Sequence, residues 1–442
     1  MKIVVVLLLS VSLIFASNAG SHSFENFKQH NPNNFGYPGD PLFLNETFYS
    51  GLLTLKTDSF FYWLFESRSD PSKDPLIIWL SGGPGCSSEI AILFENGPYR
   101  FMPNFPDQVN LETNPYSWNN IANVLYIDQP KGIGYSKTQS YGQNESVAIN
   151  DVIQLVNQFL DIFPAYKGRK AYIGGSSYTG HYVANIASEL STSSNIKLAG
   201  VLLGNAWVDP YNQYASHAQF AFDNGLITQA KFLIIRTALE ACRKLISQGL
   251  IGEAVTACGG SLNQLIGNPP DFNYYNINKT FIPPIGYNFS NADTFLKKNA
   301  SQLILGVRGR QWSQCNSTAD SYFAKDRINS SSNVVKDLLN KGIQVLVYNG
   351  DLDLVSNWVG AEYWTTNVTW SGQKDFINAP YKLIGNYGTS KSYKNFIYYR
   401  IYEAGHLATV EKPAACLDML VRFMKGWSSN SNQSSESETI IL

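Results

Sequence analysis

The sequence predicts an α/β protein with a mostly parallel central sheet that is flanked by helices. Three observations support this fold class: strand-length apolar runs, helical periodicity between them, and their alternation along the chain. The apolar runs lie at 76–80, 124–128, 171–173, 198–204 and 344–348. Because these runs are apolar throughout rather than alternating, they are typical of strands that are covered on both faces.

The segments before and after these runs complete the predicted sheet. Residues 49–55 and 59–66 alternate and are rich in aromatic side chains, which predicts an antiparallel hairpin at the sheet edge. Helical periodicity at 145–163 predicts one of the flanking helices. The last strand is expected at 395–402, and a helix over 413–427 is expected to end the fold.

Residues 211–315 interrupt the alternation of strands and helices. They contain helical segments near 229–247 and a Pro- and Asn-rich run at 268–291, so we interpret them as a helical insertion that caps the sheet over the active site. The predicted organisation is a signal peptide at 1–19, an α/β core at 20–210 and 316–427, the insertion at 211–315, and a disordered polar tail at 428–442.

The N-terminus has the features of a secretory targeting segment. Lys2 supplies a positive charge, residues 3–15 are apolar, and residues 17–19 contain the small side chains of a cleavage site. The apolar run is too short for a membrane span, and no later stretch is long and apolar enough to be one. We therefore expect a protein of the secretory pathway, either secreted or delivered to a lysosome or vacuole.

Nine N-x-[ST] sequons follow the targeting segment and predict a glycosylated surface. They lie at Asn45, Asn144, Asn278, Asn288, Asn299, Asn316, Asn329, Asn367 and Asn432. The net charge is −1, from 33 Lys and Arg against 34 Asp and Glu, and no basic patch stands out. This balance argues against nucleic acid as a partner.

The five cysteines are expected to form up to two disulfides, because the secretory pathway is oxidising. Cys242 and Cys258 are close in sequence and are expected to staple one local segment. Cys86 and Cys315 would then join distant parts of the chain. Cys416 lies on a predicted helix and is expected to be the free cysteine, buried for packing rather than used for chemistry.

The strand at 171–173 leads through glycines directly into a helix. In the run GGSSYTGHY (174–182), Ser177 is expected on a strained turn at the helix N-terminus, where developing negative charge is favoured. This is the context of a nucleophile elbow, G-x-S-x-G, although Thr179 occupies the place of the last glycine and Gly180 follows it. Taken alone, the stretch fits a purely structural turn equally well.

A nucleophilic serine needs a histidine base and an acid that orients the base. His406 follows the last predicted strand in a loop, and Asp353 follows another apolar strand, whereas Asp351 is expected to cap a turn. The order Ser177, Asp353, His406, each after a strand, matches that of the α/β-hydrolases. The glycine-rich loop at 81–86 is suited to presenting backbone N–H groups to an oxyanion.

In these motifs the chain resembles the serine carboxypeptidases, over about residues 30–427. The motifs are WLSGGPGCSS (79–88), DQPKGIGYS (128–136), GGSSYTG (174–180), NGDLD (349–353) and GH (405–406). The resemblance implies an α/β-hydrolase fold with Ser177 as nucleophile, His406 as base and Asp353 as the orienting acid. It implies no cofactor and no metal.

The resemblance also implies the groups that stabilise the transition state. It places the oxyanion hole at the backbone N–H groups of Gly83 and Tyr178. The elbow of this family carries its last glycine one place late, as Gly180 does here. The resemblance further supports a disulfide between Cys86 and Cys315.

The resemblance is incomplete where the family binds the C-terminal carboxylate of its substrate. The family uses an asparagine before the Gly-Gly pair, a glutamate on the following helix and a glutamate just before the nucleophile. Here these positions are Ser81, Glu95 and Ser176. Two neighbouring glutamates raise each other's pKa and share a proton. Without the second one, Glu95 is expected to ionise more readily at neutral pH and to hold a free C-terminus poorly.

The sequence thus predicts a serine-type carboxypeptidase that releases C-terminal residues through an acyl-enzyme at acidic pH. Its partners are peptides or proteins with a free C-terminus; neither nucleic acid nor a membrane span is expected, and a homodimer is left open. Because Ser81 and Ser176 depart from the family pattern, an esterase or acyltransferase on the same scaffold is the alternative. A catalytically idle glycoprotein is a third hypothesis, which the full set of catalytic residues disfavours.

Overall fold

The computed structural model describes residues 25–30, 41–101, 110–141, 144–283 and 286–427. The predicted signal peptide, the predicted tail and Asn432 lie outside these ranges and stay predictions. In chain order the strands are β1 (Glu25–His30), β2 (Phe48–Leu55), β3 (Asp58–Phe65), β4 (Leu76–Leu80), β5 (Tyr99–Phe101), β6 (Leu111–Thr113), β7 (Asn123–Ile127), β8 (Lys170–Ser176), β9 (Lys197–Gly204), β10 (Gln344–Gly350), β11 (Lys382–Ile384), β12 (Gly388–Tyr393) and β13 (Phe396–Ile401).

One 11-stranded sheet contains all of these strands except β5 and β6, which pair with each other. Its spatial order is β1-β2-β3-β7-β4-β8-β9-β10-β13-β12-β11. The strands from β7 to β13 in this order run parallel, and antiparallel strands extend both margins. The parallel centre, flanked by helices, confirms the predicted α/β-hydrolase class.

Helices cover both faces of the sheet. In chain order they are α1 (Glu89–Phe94), α2 (Glu145–Ile162), α3 (Thr179–Leu190), α4 (Pro210–Asp223), α5 (Gln229–Ser247), α6 (Ile251–Ile266), α7 (Ser290–Leu296), α8 (Asn299–Ile304), α9 (Ser317–Ser321), α10 (Ser332–Asn340), α11 (Trp358–Asn367), α12 (Gln373–Asn378), α13 (Ala408–Glu411) and α14 (Pro413–Lys425). None of the helices in the described ranges combines the length and the apolar character that crossing a membrane requires.

Strand β4 shows how the sheet is buried on both faces. All of its side chains are buried, and they alternate between two apolar cores. Leu76, Ile78 and Leu80 face the core that includes residues of α2 and α3, whereas Ile77 and Trp79 face the core that includes residues of α1 and α14. Burying such a side chain contributes about 1.5–3 kcal/mol. Packing on both faces therefore fixes the strand along its length, and with it the position of its C-terminal end.

The margins of the sheet differ from the prediction. Strand β1 pairs with β2, so the expected edge hairpin of β2 and β3 lies one strand inside the edge. At the other margin the sequence pattern predicts no strands, but β11 and β12 form there. Both are short, KLI and GTSKSY, and β12 is mostly polar. Short polar strands are common at sheet edges, where less apolar surface has to be covered.

Residues 211–315 form most of α4 and all of α5 to α8. A disulfide between Cys242 and Cys258 joins α5 to α6. A second one, between Cys86 and Cys315, joins the loop after β4 to the end of this segment. Both pairs are those expected from the sequence. The boundaries of the insertion as a subdomain stay a prediction.

Peptide mapping under non-reducing conditions should recover both disulfides, with Cys416, which is buried and free, alkylated only after denaturation. Replacing Cys242 and Cys258 together by Ser should lower the free energy of unfolding by about 3 kcal/mol, because the bond closes a short loop in the unfolded chain. Urea titration of the variant against the wild type measures this loss. A disulfide that includes Cys416 would contradict the scheme.

Candidate active site

The loops after β4, β8 and β13 meet in one cleft at the C-terminal edge of the sheet, where parallel α/β sheets bind their ligands. The cleft holds about 630 Å³ of empty space, part of it open to solvent. Tyr275, Tyr287 and Phe289 contribute aromatic walls from the segment 211–315. Among the other lining residues are Ser81, Gly83, Glu95, Ser176, Ser177 and His406. The structure thus brings together most of the residues selected from the sequence.

Ser177 lies at the sharp turn between β8 and α3. Its φ is 61°, a left-handed conformation that residues other than glycine rarely adopt. The Ser177 N–H donates to the Gly204 carbonyl, and the Ser177 carbonyl accepts from the Trp207 N–H, both at 2.9 Å. These bonds to the segment after β9 hold the strained turn, so the serine is fixed at the cleft.

Two glycines permit the close contacts around this turn. A Cβ atom at Gly82 would lie 2.7 Å from the Cβ of Ser177, so glycine is needed for the loop after β4 to approach the serine. A Cβ atom at Gly180 would lie 2.3 Å from the Cβ of Ala206. The first turn of α3 therefore requires a glycine at position 180, whereas Thr179 is tolerated one place earlier.

His406 and Asp353 form a hydrogen-bonded pair. Nδ1 of His406 lies 2.8 Å from Oδ2 of Asp353, whose side chain is fully buried. Asp353 also accepts backbone N–H bonds from Val355 at 2.9 Å and from Ser356 at 3.2 Å. Because Nδ1 is engaged with the carboxylate, Nε2 is the nitrogen that remains for proton transfer with Ser177 in the shared cleft.

Asp351, the other acid of the same loop, has different partners. It accepts a hydrogen bond from the Glu403 N–H at 2.8 Å and pairs with Arg400 at 3.3 Å. Its carboxylate therefore ties the loop after β10 to the turn after β13. Of the two acids, Asp353 is the one that the structure places on His406.

The backbone N–H groups of Gly83 and Tyr178 lie on the two loops that meet at Ser177. Neither group donates to an acceptor in the part of the chain that the structure describes. Tyr178 directly precedes α3, whose N-terminus carries a partial positive charge. Donors that are fixed before the reaction begins are well suited to stabilising the oxyanion of an acyl transfer.

The side chain of Tyr178 is anchored by a buried pair of Glu145 and His181. The Tyr178 hydroxyl donates to Oε2 of Glu145 at 2.9 Å, and the same oxygen lies 2.6 Å from Nδ1 of His181. Nε2 of His181 lies 2.7 Å from the carbonyl oxygen of Asn329, so both ring nitrogens face acceptors. Burial favours the neutral ring, but the hydrogen bond and charge of Glu145 outweigh it and raise the pKa of His181.

Ser81, Glu95 and Ser176 line the same cleft and are almost completely buried. Burial raises the pKa of Glu95 to about 7, although a hydrogen bond from Thr409 and the charge of His406 oppose the shift. Loss of water alone therefore favours the protonated carboxyl of Glu95, without a second glutamate beside it. The Ser81 hydroxyl is buried and has no hydrogen-bond partner among the described residues.

Two residues that support His406 and Asp353 escape the sequence analysis. The Asn205 amide donates to Oδ2 of Asp353 at 2.9 Å. The ring centroid of Tyr275 lies 4.5 Å from that of His406. The backbone N–H of His406 also donates to the Tyr275 carbonyl at 2.7 Å. Asn205 directly follows β9, and a polar residue at the end of a parallel strand is a usable signal. Tyr275 has no such signal, because it lies in an irregular part of the segment 211–315.

The described sequon asparagines are exposed, with the exception of Asn316. The Asn316 side chain caps α9 and donates to the Gly132 carbonyl and to the Tyr141 hydroxyl, each at 3.2 Å, so it is engaged in the fold. Within the described ranges no three His, Cys, Asp or Glu side chains are grouped so as to hold a metal ion.

A histidine that is oriented by a buried carboxylate, and that lines the same cleft as a serine, suits acyl transfer; with this fold it is characteristic of the α/β-hydrolases that use a serine nucleophile. Comparison with known proteins narrows the class. Residues 38–426 match the protein family described as serine carboxypeptidase. The chain belongs to the serine carboxypeptidase family.

Individual relatives agree with this assignment. A serine carboxypeptidase of Dictyostelium discoideum is 35% identical over 380 residues, which cover 83% of this chain and 90% of the relative. Carboxypeptidase Y of Komagataella phaffii is 35% identical over 407 residues, covering 86% of this chain and 76% of the relative. The fold is similar to the crystal structure of a prohormone-processing carboxypeptidase from Saccharomyces cerevisiae, with a TM-score of 0.77, 25% identity and coverage of 86% and 91%.

The buried pair of Glu145 and His181 makes a prediction about stability. The pKa of His181 is raised in the folded state. The pair therefore contributes its full stabilisation below about pH 6.5, the pKa of histidine in the unfolded chain, and loses it as pH rises through the folded-state pKa. Glu145→Gln should lower the free energy of unfolding at pH 6 by about 3–5 kcal/mol, because it leaves a buried charge unpaired. The loss should shrink at pH 9. Urea unfolding at both pH values measures it, and an equal loss at both would contradict the charged ring.

Proposed function

We propose that the protein is a serine-type carboxypeptidase in which Ser177 is the nucleophile, His406 the general base and Asp353 the residue that orients the base. The hydrogen bond between His406 and the buried Asp353 carries the proposal. A histidine that is oriented by a carboxylate, and that lines the same cleft as a serine, is suited to activating that serine. Membership of the serine carboxypeptidase family supports the same chemistry.

The reaction proceeds through an acyl-enzyme. Nε2 of His406 takes the proton of the Ser177 hydroxyl while Oγ attacks the carbonyl carbon of the last peptide bond. The N–H groups of Gly83 and Tyr178 stabilise the resulting oxyanion. The C–N bond then breaks, and the released residue takes the proton from His406. Water, activated by the same histidine, hydrolyses the ester and restores the serine.

We place the free carboxylate of the substrate against Glu95, Ser81 and Ser176. In acid solution Glu95 is protonated because burial raises its pKa, so its O–H donates to the carboxylate. The partnerless hydroxyl of Ser81 supplies a second donor. Once Glu95 ionises, it repels a free C-terminus. The site therefore favours substrates with a free C-terminus at acid pH.

The comparisons do not favour the esterase or acyltransferase alternative. That alternative rests on the departures at Ser81 and Ser176, but the protonated Glu95 keeps a donor for a free carboxylate. The relatives that match are named carboxypeptidases. A catalytically idle glycoprotein is disfavoured for the same reasons.

We infer a location in the secretory pathway, either outside the cell or in a lysosome or vacuole. Two disulfides are typical of an oxidising compartment. The targeting pattern at 1–19 and the exposed sequon asparagines agree with this route. A carboxylate site that works through a protonated glutamate suits an acidic compartment.

Substitutions in the catalytic set test the proposed roles. Ser177→Ala should abolish hydrolysis of a blocked dipeptide without changing thermal unfolding, and His406→Ala should cost about as much, because triad members act as a unit. Asp353→Asn should lower kcat about 10⁴-fold. Asp351→Asn removes the same charge from the same loop and should change kcat far less. Equal losses for the two aspartates would refute the assignment of Asp353.

The pH dependence tests how the free C-terminus is recognised. At pH 5 a blocked dipeptide with a free C-terminus should be preferred over its amidated twin by about tenfold or more, because a hydrogen bond to a charged group contributes about 1.5–3 kcal/mol. The ratio of the two kcat/KM values should fall as pH rises through about 7, where Glu95 ionises.

Glu95→Gln is the matched variant for this measurement. The amide remains a neutral donor of similar shape, so the inflection near pH 7 should disappear while some preference for the free acid remains. A wild-type ratio near one at pH 5 would overturn the proposed function. A strong preference that Glu95→Gln leaves unchanged at every pH would show that another group holds the carboxylate.

A further inference from the structure

The two carboxyl oxygens of Glu95 have different surroundings. The Thr409 hydroxyl donates to Oε2 at 2.9 Å. Oε1 has no hydrogen-bond partner in the described part of the chain, and Glu95 lines the cleft. Both residues are buried, at 4% exposure for Glu95 and 3% for Thr409. The carboxyl group is therefore held at Oε2, while Oε1 is left without a partner among the described residues.

Thr409 lies in α13, three residues after His406. The backbone of this short helix continues directly from the loop that carries the histidine, and its Glu411 side chain accepts the Gly405 N–H. The hydrogen bond from Thr409 thus joins the loop of the base to the helix end that carries Glu95. No motif singles out this threonine, because its partner lies 314 positions away in sequence.

We propose that Thr409 is the positioning residue that directs the proton of Glu95 towards the terminal carboxylate of the substrate, and so determines the preference for free C-termini. The proposal rests on the proposed function, since it concerns the same carboxylate site. It adds a residue that the resemblance to the family does not supply.

We assign the Thr409 hydroxyl as the donor in this hydrogen bond, the direction that the pair must have when Glu95 is ionised. A neutral carboxyl has one proton and two oxygens, and a hydroxyl that donates to Oε2 makes that oxygen the acceptor. The proton then resides on Oε1, from which it can be donated into the cleft. In the family pattern a second glutamate is the neighbour of this carboxyl, but Ser176 stands at that position. In this chain the Thr409 hydroxyl is the hydrogen-bond partner of the carboxyl.

The other groups that face Glu95 do not perform this task. They are Tyr126 of β7, Tyr348 of β10, Cys416 of α14 and His406. Burial raises the pKa of both tyrosines and of the cysteine, so these three stay neutral over the working range. The Tyr126 hydroxyl donates to Oδ1 of Asn96 at 3.1 Å. His406 brings charge, and only Thr409 brings a hydrogen bond to the carboxyl among the described side chains.

The test compares wild type, Thr409→Val and Thr409→Ser in the ratio of kcat/KM for a free-acid dipeptide and its amidated twin, from pH 4 to pH 9. Valine has nearly the same shape as threonine but lacks the hydroxyl. At pH 5 the valine variant should lose about fivefold in this ratio, the effect of one neutral hydrogen bond, through a higher KM for the free acid. Serine should restore the ratio.

The pH at which the ratio of the two kcat/KM values changes distinguishes a positioning role of Thr409 from a role in packing alone. The Thr409 hydrogen bond lowers the pKa of Glu95 by stabilising the ionised form. Its removal should therefore move the inflection of the ratio to higher pH in the valine variant and return it in the serine variant. A role in packing alone would change thermal unfolding without moving the inflection, and that result would overturn the proposal.

Thr365→Val is the matched control. Thr365 is a buried threonine on α11, and its hydroxyl donates to the Glu362 carbonyl of the same helix. This variant should leave both the ratio and the inflection unchanged. If wild type prefers free acids and Glu95→Gln removes the inflection, but Thr409→Val behaves like Thr365→Val, the inference about Thr409 fails while the proposed function stands. If wild type shows no preference, both fail.

Discussion

The relative position of Ser177 and Asp353 depends on the four residues 204–207, which begin at the last residue of β9. Its Gly204 carbonyl and Trp207 N–H bind the backbone of Ser177, and its Asn205 amide binds Oδ2 of Asp353. The Asn205 N–H also donates to the backbone of β10 at 2.7 Å. Asn205 has a left-handed φ of 41°, which asparagine tolerates better than most residues. This one segment therefore fixes the position of the Ser177 turn relative to the loop that carries Asp353.

The segment 211–315 contacts the loop that carries His406 and helps to hold it in place. Glu411, almost fully buried, accepts the Gly405 N–H, the Asn276 amide at 2.7 Å and the Lys279 ammonium at 2.8 Å. The last two groups belong to that segment, so it contributes to the orientation of His406 as well as to the wall of the cleft.

The sequence predicts the centre of the fold well, because continuous apolar runs are a local signature of strands that are buried on both faces. It also leads to Ser177, His406 and Asp353, since each follows such a strand. It does not predict β11 and β12, because they are short and neither contains a continuous apolar run of strand length. The pKa of Glu95 also depends on burial that distant segments create. The same holds for Thr409, which is recognisable only once the fold brings it to Glu95.

Several buried carboxyl groups have raised pKa values and therefore stabilise the folded chain more at acid pH than at neutral pH. Burial raises the pKa of Glu95, and it raises the pKa values of Glu89 and Asp128, which interact with each other beside the loop after β4. The folded chain therefore holds these protons to higher pH than the unfolded chain, whose carboxyls titrate near 4. Since the folded state binds more protons, the free energy of unfolding falls as pH rises through this range. The proposed recognition of a free C-terminus through protonated Glu95 would weaken over the same pH range, because it depends on the same kind of proton.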